Sequence, residues 1–170
     1  MEVRHSAPQT DSLEVGGKIH VAYGFAAQAV QIAIDPESEK VKVLRVIAAS
    51  DAGRVINPLG FQSQVEGGAV MGVGHGIMEE FKLENGVILS DRIAKYEIPR
   101  MKDSPKVESL IVEDPTSEGP YGAKGIGELV CVPTPPAIAN AVYNAIGLRV
   151  DSLPVTKEKV KNWLEKNSAE

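Results

Sequence analysis

Residues 57–81 read NPLGFQSQVEGGAVMGVGHGIMEEF, and their spacing predicts the main helix of the protein. Asn57 is a favourable N-cap residue, and Pro58 suits the first helical position, where a backbone N–H has no partner to lose. Apolar residues then recur at every fourth position and form one side of the helix: Phe61, Val65, Ala69, Val73 and Ile77. The pattern predicts one amphipathic helix that runs from Asn57 to about Phe81.

Glycines are frequent in this helix, although each costs about 1 kcal/mol relative to alanine in a helix interior. They occupy positions 67, 68, 72, 74 and 76. Because residues three and four apart are neighbours on a helix, one side is shared by Gln64, Gly68, Met71, Gly72 and His75. This side either faces an open concave surface, where a flat ligand meets the Gln64 amide, or packs closely on another element while Gln64 is solvated. Spacing alone slightly favours close packing.

Shorter patterns before and after this helix predict strands. Residues 19–33 and 41–47 are strand-like and are joined by a turn, which predicts a hairpin with its apolar side packed inward. Residues 84–86, Glu-Asn-Gly, predict a turn before a short strand at residues 87–89. A further strand is predicted at residues 107–112.

Two more helices are predicted towards the end of the chain. The first begins at Thr134, which two prolines follow, and ends at Gly147, with a buried face formed by Ile138, Ala141, Val142 and Ala145. The second begins at Thr156 and buries Val160, Trp163 and Leu164, with Val155 and Val160 as a hydrophobic staple. Since strands and helices do not alternate regularly, we predict an α+β fold in which helices cover a mixed sheet.

The composition is that of one ordinary soluble domain, with 43% hydrophobic and 24% charged residues among 170. Residues 1–18 are polar and aperiodic, so we expect a flexible tail or linker before a domain at residues 19–170. A formal charge of −5 without a Lys/Arg cluster argues against a nucleic-acid partner. No segment approaches the ~20 apolar residues of a membrane span and no apolar signal core opens the chain, so a cytoplasmic location without membrane contact is expected.

The chain itself is not expected to ligate a metal. Cys131 is the only cysteine, which excludes an internal disulfide, a four-cysteine zinc site and an iron–sulfur cluster held by this chain alone. His5, His20 and His75 lack the spacing of a metal site. Any metal is therefore expected to be held by another group.

Residues 119–128 read GPYGAKGIGE and form what we call the glutamate loop. Its glycines allow the backbone to approach a ligand and to present N–H groups to anionic oxygens. Lys124 adds a cation and Glu128 a carboxylate, and a carboxylate in a dry pocket can serve as a general base. The alternative is an exposed turn with both charges solvated, which composition alone favours. A pocket between the glycine-rich helix and this loop is one of two open interpretations.

Motifs spread between residues 51 and 141 give a further indication. They read DAGRVINP at 51–58, QVEGGAVMGVG at 64–74, EE at 79–80, YEIP at 96–99, GAKGIGE at 122–128 and PPAIANA at 135–141. In this order and spacing they resemble the C-terminal part of the large, molybdenum-cofactor-binding subunit of the xanthine dehydrogenase and aldehyde oxidase type molybdenum hydroxylases. The resemblance extends over residues 20–163 and implies one domain of that family's molybdopterin-binding fold.

The resemblance implies a pterin-bound molybdenum with oxo, sulfido and hydroxide ligands and no protein side chain on the metal. Glu128 matches the family's general base, which takes the proton of the metal-bound hydroxide as its oxygen attacks a C–H carbon of an N-heterocycle, purine or aldehyde. Hydride then passes to the sulfido group. Gln64 matches the glutamine that hydrogen-bonds the cofactor, and the other residues expected to bind it are Gly67, Gly68, Lys124, Gly125, Ile126 and Gly127.

Two positions depart from the family pattern. Met71 stands where glutamine is common, which removes one polar contact near the pterin. Residues 129–131, Leu-Val-Cys, replace a proline pair that often follows the glutamate, which leaves the base itself in place.

The resemblance also implies partners: the remainder of the molybdenum subunit, iron–sulfur and FAD-containing domains or subunits, and a small-molecule substrate. The chain is therefore expected to be part of a larger oxidoreductase and to be inactive alone. Two other functions remain open, namely a noncatalytic module of the same fold that pairs with another protein through the glycine-rich helix, and an unrelated α+β small-molecule binder. The carboxylate at Glu128 favours the enzyme, because a noncatalytic module has no need of it.

Overall fold

The computed structural model of the protein describes residues 6, 8–12, 14, 16–18 and 20–167. Its strands are β1 (Ala26–Ile34), β2 (Val41–Asp51), β3 (Leu83–Glu84), β4 (Val87–Ile88) and β5 (Lys106–Val112). Its helices are α1 (Pro58–Ile77), α2 (Ile93–Tyr96), α3 (Thr134–Ile146) and α4 (Lys157–Asn167). The predicted α+β class is confirmed. His5, the predicted strand start at Ile19 and several residues of the predicted tail lie outside the described residues.

The main sheet has the order β1-β2-β5, with β1 antiparallel and β5 parallel to the central strand. The predicted hairpin of β1 and β2 and the predicted strand β5 are confirmed. The first strand begins at Ala26 rather than near residue 19, because Ala26 already pairs with Ser50, next to the end of β2. Residues 20–25 therefore have almost no β2 backbone opposite them. The small β3-β4 hairpin carries the predicted turn, with Asn85 and Gly86 at positive φ, although its second strand ends at Ile88.

Helix α1 begins as predicted, with the Asn57 side chain accepting a hydrogen bond from the Gly60 N–H at 3.0 Å. Its apolar side is buried from Phe61 to Val73. The predicted end at Phe81 is wrong, since the helix stops at Ile77. The N–H groups of Met78 and Glu79 both donate to the Gly74 carbonyl, at 2.9 and 2.8 Å, and the Glu79 carboxylate folds back over Gly74. The chain leaves the helix at Met78, where φ is −129° and ψ is −54°.

The glycines of α1 are mostly explained by close packing inside the chain. A Cβ on Gly68 would lie 3.1 Å from Val130 Cβ, and one on Gly72 would lie 2.9 Å from the Cys131 carbonyl oxygen. A Cβ on Gly76 would lie 2.7 Å from a side-chain carbon of Ile138 in α3. The prediction of an open concave surface along this whole side is therefore wrong, and the packing interpretation holds at these three positions.

The last two helices complete the core. Ile138 and Val142 of α3 are fully buried, as is Val160 of α4, and Val155 packs in the same cluster. Gly147 ends α3 at φ +76° as predicted, but Ala145 is exposed rather than buried, because the last turn of the helix packs on the core through Ile146 instead. In the described part of the chain, no helix has both the length and the apolar character that crossing a bilayer requires.

Candidate functional site

The glutamate loop lies against the turn that follows β2. The Lys124 N–H donates to the Ala52 carbonyl at 2.8 Å, and the Arg54 N–H donates to the Gly122 carbonyl at 3.0 Å. Gly53 stands between these two hydrogen bonds at φ +63°, and a Cβ there would collide with the Gly122 carbonyl oxygen. Only glycine permits this approach, which joins two motifs that are about 70 residues apart.

Lys124 is buried in an ion pair instead of being solvated. Its Nζ donates to Asp51 Oδ2 at 2.7 Å and to Asp114 Oδ2 at 3.1 Å, and the Lys124 and Asp51 side chains are only 6% and 4% exposed. Burial acts to raise the pKa of Asp51, but hydrogen bonds from Lys124 and the Gly53 N–H outweigh it and hold that pKa below its ordinary value. The hydrogen bond to Asp51 raises the pKa of Lys124. The Lys124 charge is therefore compensated within the chain.

Gln64 joins α1 to the same loop. Its Nε2 donates a 2.8 Å hydrogen bond to the Gly127 carbonyl, so the amide is not simply solvated. Each of the two interpretations of α1 therefore holds for part of the helix. Gly68, Gly72 and Gly76 pack inside the chain, whereas Gln64 faces the loop. No described residue donates a hydrogen bond to the Gln64 amide oxygen, which leaves that oxygen as an acceptor for a ligand.

A cleft of about 290 Å³ lies between the first turns of α1 and the glutamate loop. Four of the predicted cofactor-binding residues line it: Gln64, Lys124, Ile126 and Gly127. Gly68 does not line it, because it lies beneath Val130. A larger open cleft of about 890 Å³ lies between β1, β2 and the start of α4 and contains none of the predicted site residues, so the smaller cleft is the candidate site.

Three of the predicted cofactor-binding glycines have no reason among the described residues to be glycine, and one of them, Gly127, lines the cleft. A Cβ on Gly67, Gly125 or Gly127 would meet nothing within 4 Å, and none of the three has a positive φ. In addition, the main-chain N–H groups of residues 125–128 donate to no described residue. The unpaired N–H groups of residues 125–128 and the Gln64 amide oxygen can form hydrogen bonds to a ligand, and the glycines leave its approach unobstructed by side chains. These features suit a flat, oxygen-rich organic group. Among the described residues, no cluster of His, Cys, Asp or Glu side chains could hold a metal ion.

Glu128 ends the glutamate loop, one residue beyond the Gly127 carbonyl that Gln64 contacts. Its side chain is exposed in this chain, and its carbonyl accepts a hydrogen bond of 3.1 Å from the Cys131 N–H, which starts the turn into α3. Burial raises the pKa of the Cys131 thiol, and the charges of Glu128 and Glu79 raise it further. Glu128 therefore follows Gly127, which lines the cleft, but is not itself among the lining residues.

Sequence reasoning missed the buried contact between Asp51 and the glutamate loop, although Asp51 belongs to one of the quoted motifs. The signal was an acidic residue directly after the apolar strand that ends the hairpin, because a buried carboxylate at such a position needs a cationic partner. Lys124 was identified from the loop, but its partner 73 positions away was not.

Comparison with known proteins identifies the class of this fold and cleft. Residues 2–105 match the family model of the molybdopterin cofactor-binding domain, and the chain belongs to this family. The molybdenum hydroxylase resemblance of the motifs is thereby confirmed, and the alternative of an unrelated small-molecule binder is wrong.

The relatives are subunits of larger enzymes. A probable xanthine dehydrogenase subunit of Bacillus subtilis (strain 168) is 34% identical over 97% of this chain. The aldehyde oxidoreductase molybdenum-binding subunit PaoC of Escherichia coli (strain K12) is 38% identical over 91% of it. The solved aldehyde oxidoreductase from Desulfovibrio gigas superposes with a TM-score of 0.79 at 28% identity, covering 94% of this chain and 17% of that one. The chain spans only 22% of each of the two curated relatives.

Proposed function

We propose that this chain forms one wall of the cofactor site in a xanthine dehydrogenase or aldehyde oxidase type molybdenum hydroxylase. The complete enzyme would oxidise a C–H carbon of an N-heterocycle, purine or aldehyde. The observation that carries the proposal is the set of three glycines, Gly67, Gly125 and Gly127, that no contact with a described residue explains. Since glycine in a helix or loop is costly when nothing requires it, a group from outside the chain must approach them.

The predicted cofactor-binding residues have distinct roles in this proposal. Gly67, Gly125 and Gly127 leave room for the pterin, and the N–H groups of residues 125–127, including that of Ile126, are free to donate to its oxygens. The Gln64 amide donates a hydrogen bond to the loop through its N–H, and its oxygen can accept a hydrogen bond from the cofactor. Lys124 contributes through its main chain and through the buried charge that fixes the loop, while Gly68 permits α1 to pack under Val130.

Glu128 is the proposed general base. When bound, the molybdenum–pterin group supplies the redox centre that accepts the electrons of the oxidised C–H bond. A carboxylate oxygen of Glu128 accepts a proton during this oxidation. In this proposal the carboxylate lies at the rim of the cleft, which its exposure and its position next to Gly127 support. We propose that the remainder of a molybdenum subunit covers this rim and excludes water, and that iron–sulfur and FAD groups on other domains or subunits carry electrons away.

The alternative function, a noncatalytic module that pairs with another protein through the glycine-rich helix, has less support. Its pairing surface would need the side of α1 that carries Gly68, Gly72 and Gly76. Within the chain, this side is already covered by Val130, Thr134 and Ile138.

The test uses the unexplained glycines in the complete enzyme. Gly127→Ala and Gly125→Ala should leave the unfolding midpoint of the protein unchanged, because an added Cβ meets open space and neither φ is positive. Both variants should bind less molybdenum per protein molecule, measured by metal analysis after purification. Ser117→Ala, an exposed change just before the loop, is the control and should retain full molybdenum. Wild-type molybdenum content in both glycine variants would remove the proposal.

A further inference from the structure

We infer that Asp51 is a positioning residue, which acts through Lys124 to hold the glutamate loop in the conformation that presents Ile126 and Gly127 to the cleft. The inference rests on the proposed function, since it adds a residue to the same site. Asp51 does not line the cleft, and it acts only through the residues that it holds.

Both oxygens of the Asp51 carboxylate have partners. Oδ2 accepts a hydrogen bond from Lys124 Nζ at 2.7 Å, and Oδ1 accepts one from the Gly53 N–H at 2.8 Å. The residue as a whole is 3% exposed and ends strand β2. One buried carboxylate therefore shapes the turn after β2 and also holds the loop that packs on this turn.

Asp114 is the second partner of Lys124 but a weaker one. It follows β5, which is parallel to β2, so the two carboxylates approach Lys124 from the same edge of the sheet. Its side chain is 76% exposed, so solvent screens its charge, whereas Asp51 interacts in a buried environment. Asp51 is therefore the partner on which the position of Lys124 depends.

The loop segment that faces the cleft is held at two points. At one end, the Lys124 side chain binds Asp51 and its N–H donates to Ala52. At the other, the Gly127 carbonyl accepts from Gln64. Between them, Ile126 packs partly against the core, whereas a Cβ on Gly125 would meet no described residue within 4 Å. Loss of the Asp51 contact removes the side-chain restraint at the Lys124 end of this segment.

Amide hydrogen exchange, followed by NMR on the full chain, tests this inference. Asn at position 51 keeps the shape of the side chain but leaves the buried Lys124 ammonium without its buried counter-charge. In Asp51→Asn, the amides of Arg54 and Lys124, which bridge the turn and the loop, should exchange at least about tenfold faster, with core β2 amides unchanged. Glu108→Gln is the control. It removes the ion pair between Arg45 of β2 and Glu108 of β5, away from the loop, and should leave the exchange of the Arg54 and Lys124 amides unchanged.

The double variant Asp51→Asn/Lys124→Met separates positioning from charge burial. It removes the unpaired charge, so the chain should fold even where the single variant does not, but the two amides should still exchange fast. Recovery of wild-type protection in the double variant would overturn the inference, as would unchanged protection in Asp51→Asn or equal loss of protection throughout the sheet.

Failure of this inference is distinguishable from failure of the proposed function. If Asp51→Asn frees the loop while Gly127→Ala keeps full molybdenum in the complete enzyme, the positioning role stands and the cofactor proposal fails. If Gly127→Ala loses molybdenum while Asp51→Asn leaves the loop amides protected, only the positioning role is overturned.

Discussion

Gln64 of α1 donates a 2.8 Å hydrogen bond to the carbonyl of Gly127, 63 positions later in the chain. This hydrogen bond joins the helix to the glutamate loop where both line the cleft. It uses an N–H of the amide and leaves the amide oxygen directed to no described residue. Gln64 therefore has two roles that can be separated experimentally: it restrains the loop, and in the proposed function it also contacts the cofactor.

Gln64→Ala should weaken cofactor retention without preventing folding. The change removes one neutral hydrogen bond, worth about 0.5–1.5 kcal/mol, so retention should fall by about 2- to 10-fold. The measurement is molybdenum per protein after prolonged dialysis of the complete enzyme. Gln62→Ala is the matched control, because Gln62 lies on the same helix and, among the described residues, its side chain bonds to the neighbouring Glu66 and not to the glutamate loop. Equal retention in the two variants would contradict the role of Gln64.

Two glycines of α1 should respond to alanine in opposite directions. Gly72→Ala places a Cβ 2.6 Å from Thr134 Oγ1 and 2.9 Å from a backbone carbonyl, so it should lower the free energy of unfolding by about 1–3 kcal/mol. Gly67→Ala meets nothing within 4 Å and should raise it by about 0.5–1 kcal/mol through helix propensity. Urea denaturation of the chain measures both. Destabilisation by Gly67→Ala would show that this position is not open.

The sequence predicted the helix and the hairpin because their signals are local. Asn57, Pro58 and the four-residue apolar spacing lie within one element, and the structure follows them closely. The predicted end of α1 was wrong because the chain leaves the helix at Met78, and residues 77–81 contain no glycine or proline that would mark this end.

For a similar reason, the sequence could not predict which glycines of α1 are packed against other elements and which face open space. Gly67 and Gly68 are adjacent, yet one faces open space and the other lies under Val130, 62 positions away. Only the packing of α1 on the turn before α3 distinguishes them. In the same way, the sequence around Lys124 is consistent with a solvated or a ligand-binding cation. It does not indicate the ion pair with a buried carboxylate at the end of β2.

The ion pair between Arg45 and Glu108 should make stability depend on acid pH. Hydrogen bonds from Arg45, followed by Lys106, lower the pKa of Glu108 from 4.5 to about 2. Because the folded-state pKa is depressed, the contribution is fully present above about pH 4.5 and is lost as the pH falls towards 2. Glu108→Gln lacks this contribution, so its urea midpoint should fall less steeply than that of the wild type between pH 5 and pH 3. Parallel slopes for the two proteins would contradict the assignment.

Glu128→Gln should nearly abolish substrate oxidation by the complete enzyme while leaving its molybdenum content intact. The amide is almost isosteric with the carboxylate but cannot accept the proton, and general-base catalysis is worth about 10²- to 10⁴-fold in kcat. Steady-state kinetics together with metal analysis make the measurement. Glu118→Gln is the control, since Glu118 lies just before the same loop and pairs with Lys18 at the surface.

An independent readout on the chain alone checks that position 128 carries the expected charge. The Cys131 thiol has its pKa raised by burial, and the charges of Glu128 and Glu79 add to this effect. Removing the charge in Glu128→Gln should therefore lower the pKa of the thiol and speed its alkylation by iodoacetamide at a fixed pH near 8, whereas Glu118→Gln should not.

The activity of the complete enzyme decides the role of Glu128. If Glu128→Gln lost its oxidation activity together with its molybdenum, the residue would be a binding group and not a base. If it kept near-normal kcat at full molybdenum loading, the proposed mechanism would be wrong at its central residue.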